Sequence, residues 1–221
     1  VEDVVSRTVV AQLRDLAPLR PLTRSEALSI AERQAYRFLE LLGVSEGPVP
    51  EDLIANLPRI EVMRTSPFPA SGATQWTRGR WLIVLNSSEA YVRQRFSLAH
   101  ELKHIIDHPF VGQLYGGVDA GERAAWAEQV CDYFAGCLLM PRPWLKRAWT
   151  TETQDIAVLA RRFHVSQAAM STRLHQTGIM PPKPRCTPGD DWLRRAVAEV
   201  ARTARYQRQA PSPILIGGLV T

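Results

Sequence analysis

From Thr23 onward apolar residues return every three or four positions: Ala27, Ile30, Ala31, Tyr36, Phe38, Leu39 and Leu42 form one stripe. Thr23 stands where a cap belongs, Glu26 falls in the first turn and Gly43 closes the run, so the pattern predicts an amphipathic helix. Pro48 and Pro50 break it. A short helix is expected over PEDLIANLP, with Pro50 near its first turn and Pro58 ending it. At Ile60 the period changes to that of strands: IEVM, then the end of SPFPASGATQW, then RWLIVLN, with Gly79 marking the turn between the last two. These runs predict a small antiparallel sheet.

The helical period returns in RQRFSLAHELKHIIDH, Arg93 to His108, where Phe96, Leu98, Ala99, Leu102, Ile105 and Ile106 make the apolar stripe of a buried helix. A Gly-rich loop, DHPFVGQLYGGVDAGE, leads to a second long helix. Its apolar face is Ala127, Val130, Cys131, Phe134, Leu138 and Leu139, and Pro141 stops it. Leu145 to Trp149 adds a helical turn. DIAVLARRFHVSQAAMSTRLHQTGI then divides into two short helices around His164 to Ser166, a helix-turn-helix-like segment in which Ser166 caps the second helix and Arg173 and His175 are available on it. At the ends the signals are weaker. Residues 1 to 20 alternate apolar and charged positions but are cut by Pro18 and Pro21, and after Met180 come a Pro-rich linker, a basic helix over WLRRAVAEVARTARYQRQ and an uncharged terminus.

Inside the first long helix, His100, Glu101, Leu102, Lys103 and His104 spell H-E-x-x-H. Residues four apart share a helical face about 6 Å apart, so two imidazoles can converge on one Zn²⁺. Glu101 stands beside them, placed to take a proton from a water as general base. A catalytic zinc usually takes a third protein ligand, and the second helix offers Glu122, Glu128, Cys131 and Asp132. Glu128 and Asp132 lie on one face, which suits a ligand and a carboxylate that accepts a hydrogen bond from the outer nitrogen of His100 or His104. His108, four beyond His104, is another candidate ligand. Tyr115, Tyr133, His108 and His164 are the candidates for stabilising an oxyanion. The strand RWLIVLN is a candidate edge for pairing with an extended peptide.

Composition narrows the class. With 221 residues and 45% hydrophobic content the chain can bury a sizeable core. It contains no run of eighteen or more apolar residues and its first residues do not form a leader, so no membrane partner and a cytoplasmic location are expected. Cys131, Cys137 and Cys186 are odd in number and unpaired in spacing, as buried thiols of a reducing compartment would be. The net charge of +5 gathers in the last forty residues, around Arg194, Arg195, Arg202, Arg205 and Arg208. The body is close to neutral, so DNA binding is possible but not favoured.

RQRFSLAHELKH followed by AEQVCDYFAGCLLMP resembles the ImmA/IrrE family of bacterial metallopeptidases, in which R-x-x-x-A-H-E-x-x-H precedes a helix ending in L-M-P. The resemblance runs from about residue 25 to 180. Glu128 and Asp132 are also similar to the second motif of thermolysin-like gluzincins, where the glutamate ligates zinc and the aspartate supports a ligand histidine. Asp132 stands where many relatives have Asn, and Val130 where many carry a second acid. The resemblance implies an α+β, zincin-like domain with a small antiparallel sheet, two metal-site helices and the helix-turn-helix-like segment. It implies His100, His104 and Glu128 as zinc ligands, Glu101 as the catalytic base and a phage- or stress-type transcriptional repressor as the protein substrate. The expected organisation is an N-terminal extension (1–22), the metallopeptidase domain (23–150), the helix-turn-helix-like segment (151–180) and a basic appendage (181–221). The alternative class is a non-catalytic, metal-stabilised regulator that binds DNA or a repressor, or a component of a toxin–antitoxin pair.

Overall fold

The computed structural model describes residues 7–181, so the basic appendage lies outside the described residues. Thr8 caps a short helix α1 (Val9–Arg14), whose Leu13 is fully buried. Thr23 and Glu26 form a reciprocal capping box at the start of α2 (Arg24–Leu41): each side chain takes the other's orphan backbone N–H. Although residues 1–22 read as an extension, their described part is built into the core: Gln34 of α2 donates to the Leu13 carbonyl, and the Arg14 guanidinium donates to the carbonyls of Ile105 and Ile106. A single turn, α3 (Asp52–Ala55), precedes the sheet.

Strands β1 (Ile60–Thr65), β2 (Gly72–Thr77) and β3 (Arg80–Asn86) pair in the order β1-β3-β2. β2 and β3 form the expected hairpin, closed by Arg78 and Gly79 at φ 48° and 79°, the doubly left-handed turn that matches strand twist. β1, however, runs parallel to β3, Ile60 opposite Trp81 and Thr65 opposite Asn86. The sheet is therefore mixed rather than antiparallel. Residues 66–71 carry the chain past the place β3 takes, and the hairpin then folds β3 in between. RWLIVLN consequently has both edges occupied, and the free edges of the sheet belong to β1 and β2. Ile83 and Leu85 of β3 are completely buried.

The long helix α4 (Tyr91–Asp107) packs beneath the sheet. The stretch expected to be loop contains a turn of 3-10 helix (His108–Phe110) and α5 (Val111–Leu114). Asp119 then caps α6 (Ala120–Leu139), its carboxylate accepting from the Glu122 N–H at 2.9 Å. α6 packs against both α2 and α4 through Val130, Phe134, Ala135 and Leu138, all fully buried. α7 (Arg142–Thr151) is longer than the turn expected at Leu145 to Trp149, because Pro143 falls in the first helical turn, where its missing N–H costs nothing.

α8 (Ile156–Phe163) and α9 (Gln167–Gln176) flank His164, left-handed at φ 53°, and Ser166 caps α9 as expected. Leu159, Phe163, Val165, Met170 and Leu174 of this pair are buried. Arg173 is not available as a base-reading side chain. It is 1% exposed, donating to the Met140 carbonyl at 3.2 Å and pairing with Glu32 at 3.2 Å, with its guanidinium over the Tyr133 ring. His175 donates through Nδ1 to the Pro181 carbonyl, 2.7 Å away.

Candidate metal centre

α4 holds the centre because its two faces are different. Leu98, Leu102 and Ile105 are at most 1% exposed and fix the helix in the core; His100 and His104, one turn apart, open onto a cleft of about 590 Å³. Their Nε2 atoms lie 3.0 Å apart. Across the cleft, α6 supplies Glu128, whose two carboxylate oxygens lie 3.1 Å from His100 Nε2 and 3.2 Å from His104 Nε2. One turn further along α6, Asp132 Oδ1 lies 2.9 Å from His100 Nδ1, the nitrogen facing away from the other donors. Three donors thus converge on one point, with a carboxylate behind one of them. Such an outer carboxylate fixes the tautomer that leaves Nε2 with a free lone pair.

Burial disfavours a charged His100, but the hydrogen bond to Asp132 and the charges of Asp132, Glu128 and Glu101 outweigh it, so the ring lies above the ordinary histidine value. His104 lies below it, through burial first and the neighbouring His100 second. The Cys131 sulfur also falls within 4.8 Å of the two ring nitrogens, so His100, His104 and Cys131 can themselves hold a metal ion. Cys131 is 1% exposed and burial pushes its thiol well up, so a thiolate forms there only if a cation displaces the proton.

Glu101 is 7% exposed and lines the same cleft. It lies under β2, at Gly72: a Cβ at that glycine would stand 3.0 Å from Glu101 Oε1 and 3.2 Å from its Cγ. The absence of a side chain in the strand is what gives the carboxylate its place. At the far end of the cleft Trp81 stacks edge-on against His108, with ring centres 4.7 Å apart, and the partly exposed Trp76 stacks on Trp81 at 5.2 Å. Nearer the mouth Arg93 donates to the Ser71 hydroxyl at 3.1 Å, tying α4 to the segment that enters β2.

Of the four residues considered for an oxyanion, only His108 lines the cleft. Tyr115 is buried and donates its hydroxyl to Asp107 at 2.5 Å; Tyr133 faces a neighbouring groove; His164 ends α8 and offers its carbonyl to Arg95. Glu122 is exposed in the first turn of α6.

Sequence reasoning did not anticipate Gly72, Trp81 or Arg93, which depend on how the sheet folds over α4. It also passed over a buried polar cluster on the back of α4. Lys103, 2% exposed, donates to Asp107 at 2.6 Å and to Gln34 at 2.7 Å. A signal was present, since Lys103 and Asp107 are four apart on the helix and Lys103 falls in the apolar stripe between Ala99 and Ile106.

The chain is similar to known proteins. The radiation response metalloprotease IrrE of Deinococcus radiodurans is 31% identical over 126 residues, a match covering 53% of this chain and 38% of that protein. A Mycobacterium tuberculosis transcriptional regulator shares the fold, with a TM-score of 0.57 at 19% identity over 81% of this chain and 54% of that one. The chain therefore spans well under two thirds of the length of either relative. The IrrE N-terminal-like domain of the M78 peptidases matches residues 58–175, more than half of the chain, and the chain belongs to that family.

Proposed function

We propose that this protein is a zinc-dependent endopeptidase that cleaves a specific protein substrate, a transcriptional repressor of the phage- or stress-response type. The observation that carries the reading is the convergence of His100 Nε2, His104 Nε2 and the Glu128 carboxylate at separations of 3.0, 3.1 and 3.2 Å. Ligands 2.0–2.1 Å from a tetrahedral zinc are about 3.3 Å from one another, so these donors need to move only a few tenths of an ångström. Cys131, whose sulfur lies within 4.8 Å of both ring nitrogens, is a further donor that a metal could recruit, but its thiol is buried and holds its proton. Three protein donors leave a position open, as a catalytic site requires. When bound there, zinc supplies a Lewis acid for a carbonyl and lowers the pKa of a water.

The chain's own groups supply the rest. Glu101, held under Gly72, accepts the proton of the attacking water and returns it to the departing amine. Asp132 orients His100 through the 2.9 Å hydrogen bond. The free edge of β2 presents backbone N–H and C=O groups along the cleft, and an extended substrate pairs with it as an added strand. This role falls to β2 and not to RWLIVLN, whose edges are filled. The burial of Arg173 weighs against the DNA-binding alternative, since one of the two side chains nominated for bases is committed to the core.

The test is elemental analysis of the purified protein with a proteolysis assay. Wild type should hold about one zinc per chain and His104→Ala much less, while Glu101→Gln should retain zinc and lose cleavage. Equal zinc in wild type and His104→Ala would defeat the ligand assignment, and undiminished cleavage by Glu101→Gln would defeat the catalytic one.

A further inference from the structure

A second groove of about 600 Å³ lies beside the metal cleft, walled by α2, α4, α6 and α9. Three residues, Arg93, Phe96 and Asp132, line both cavities. Asp132 is the junction: one oxygen meets His100, and its side chain, 65% exposed, also borders the groove. The groove's apolar surface comes from Leu28, Val92, Phe96, Met140 and Ala169. Its outer wall is α9, the second helix of the segment that resembles a DNA reader, and the residues α9 turns to the groove include Ala168 and Thr172, both exposed.

We propose that this groove binds a segment of the protein substrate beyond the scissile bond, taking a large apolar side chain, so that α9 serves substrate selection rather than DNA contact. The inference rests on the peptidase reading, because continuity with the metal cleft is what identifies the occupant. Arg93, Phe96 and Asp132 border both cavities, so an extended chain lying in the cleft, at about 3.3 Å per residue, has the groove as its immediate neighbour. The walls suit that occupant. They join aliphatic and aromatic surface to polar groups, among them Gln129, Thr172, Gln176 and the charged Arg93, Asp132 and Arg173, able to meet a peptide backbone. α9 is rigid enough to discriminate, since Met170 and Leu174 anchor its other face in the core.

The experiment uses the zinc-loaded full chain and peptides of graded length capped by a hydroxamate, a group that binds zinc. Each position distant from the cap is fixed in turn as Leu, Phe, Met, Asp or Lys, and inhibition of proteolysis is measured for wild type, Thr172→Trp and Ala168→Glu. Both substitutions are at exposed helix positions outside the metal centre. In wild type, Leu, Phe or Met at a distal position should inhibit about tenfold or more better than Asp or Lys there. Either variant should abolish that preference while binding the shortest hydroxamate as wild type does. A distal preference that is absent, or that survives both substitutions, overturns the assignment. So does a concentration-dependent dimer broken by the same two substitutions, which would give the groove to a second copy. If even the shortest hydroxamate fails to bind wild type, the peptidase reading falls and takes this one with it, a result distinct from loss of the distal preference alone.

Discussion

Gly72→Ala separates the placing of the Glu101 carboxylate, proposed as the general base, from folding and metal binding. The new Cβ would stand 3.0 Å from Glu101 Oε1, 3.2 Å from Glu101 Cγ and 3.4 Å from Leu85 Cδ2. Comfortable contacts are about 3.5–4.0 Å, so Glu101 must retreat by roughly 0.5–1 Å. A displacement near 1 Å of a reacting group costs about a hundredfold, so a loss of about 10- to 100-fold in kcat is expected. Stability should hardly change, because a flexible carboxylate can yield and because replacing a strand glycine lowers the entropy of the unfolded chain by about 0.4–1 kcal/mol. Zinc content should also hold, since the three nearest atoms to the new methyl belong to Glu101 and Leu85 and to neither histidine. Digestion of a peptide mixture read by mass spectrometry, with a melting curve and zinc analysis on the same preparation, measures all three. Wild-type turnover in a folded, zinc-loaded Gly72→Ala protein would refute the role given to Glu101 or the fit of β2 over it.

Two further outcomes probe the rest of α4. Asp132→Ala should weaken zinc binding or activity by about 10- to 100-fold, and Asp132→Asn by less, because the amide oxygen can still accept from His100; competition with a chelator measures both. Asp107→Ala leaves the Lys103 ammonium, 2% exposed, without its anion, which should cost about 3–5 kcal/mol and lower the melting temperature by about 6–20 °C. The double substitution Lys103→Met with Asp107→Leu should recover most of that loss, and a melting temperature unmoved in Asp107→Ala would show that the pair is not desolvated as described.

The long helices and the convergence of His100, His104 and Glu128 were legible because their determinants are local. An i, i+4 pair on a confident helix has one possible geometry, and Glu128 with Asp132 repeats that logic on α6; only the crossing of α4 and α6 had to be supplied, and the apolar faces of both required it. The sheet was less legible. A period of two tells which side of a strand is buried but not which strand lies beside it, so β1 was paired wrongly and β3, which has no free edge, was taken as a candidate for pairing with a peptide. Charged residues misled in another way. Arg173 and Lys103 look solvated in the sequence, yet each sits in an apolar stripe and is buried with partners from other elements, Glu32 and Met140 for one and Gln34 for the other, which also pairs with Asp107 of its own helix. Gly72, Trp81 and Arg93 share that origin, since each reaches the cleft only after the hairpin has folded over α4. The proposed catalytic motif can therefore be read within five consecutive residues, whereas the walls proposed to select a substrate are assembled from β2, β3, α4, α6 and α9. Two chains with the same H-E-x-x-H can accordingly act on different proteins, and it is the walls of the two cavities, not the metal ligands, that must differ between them.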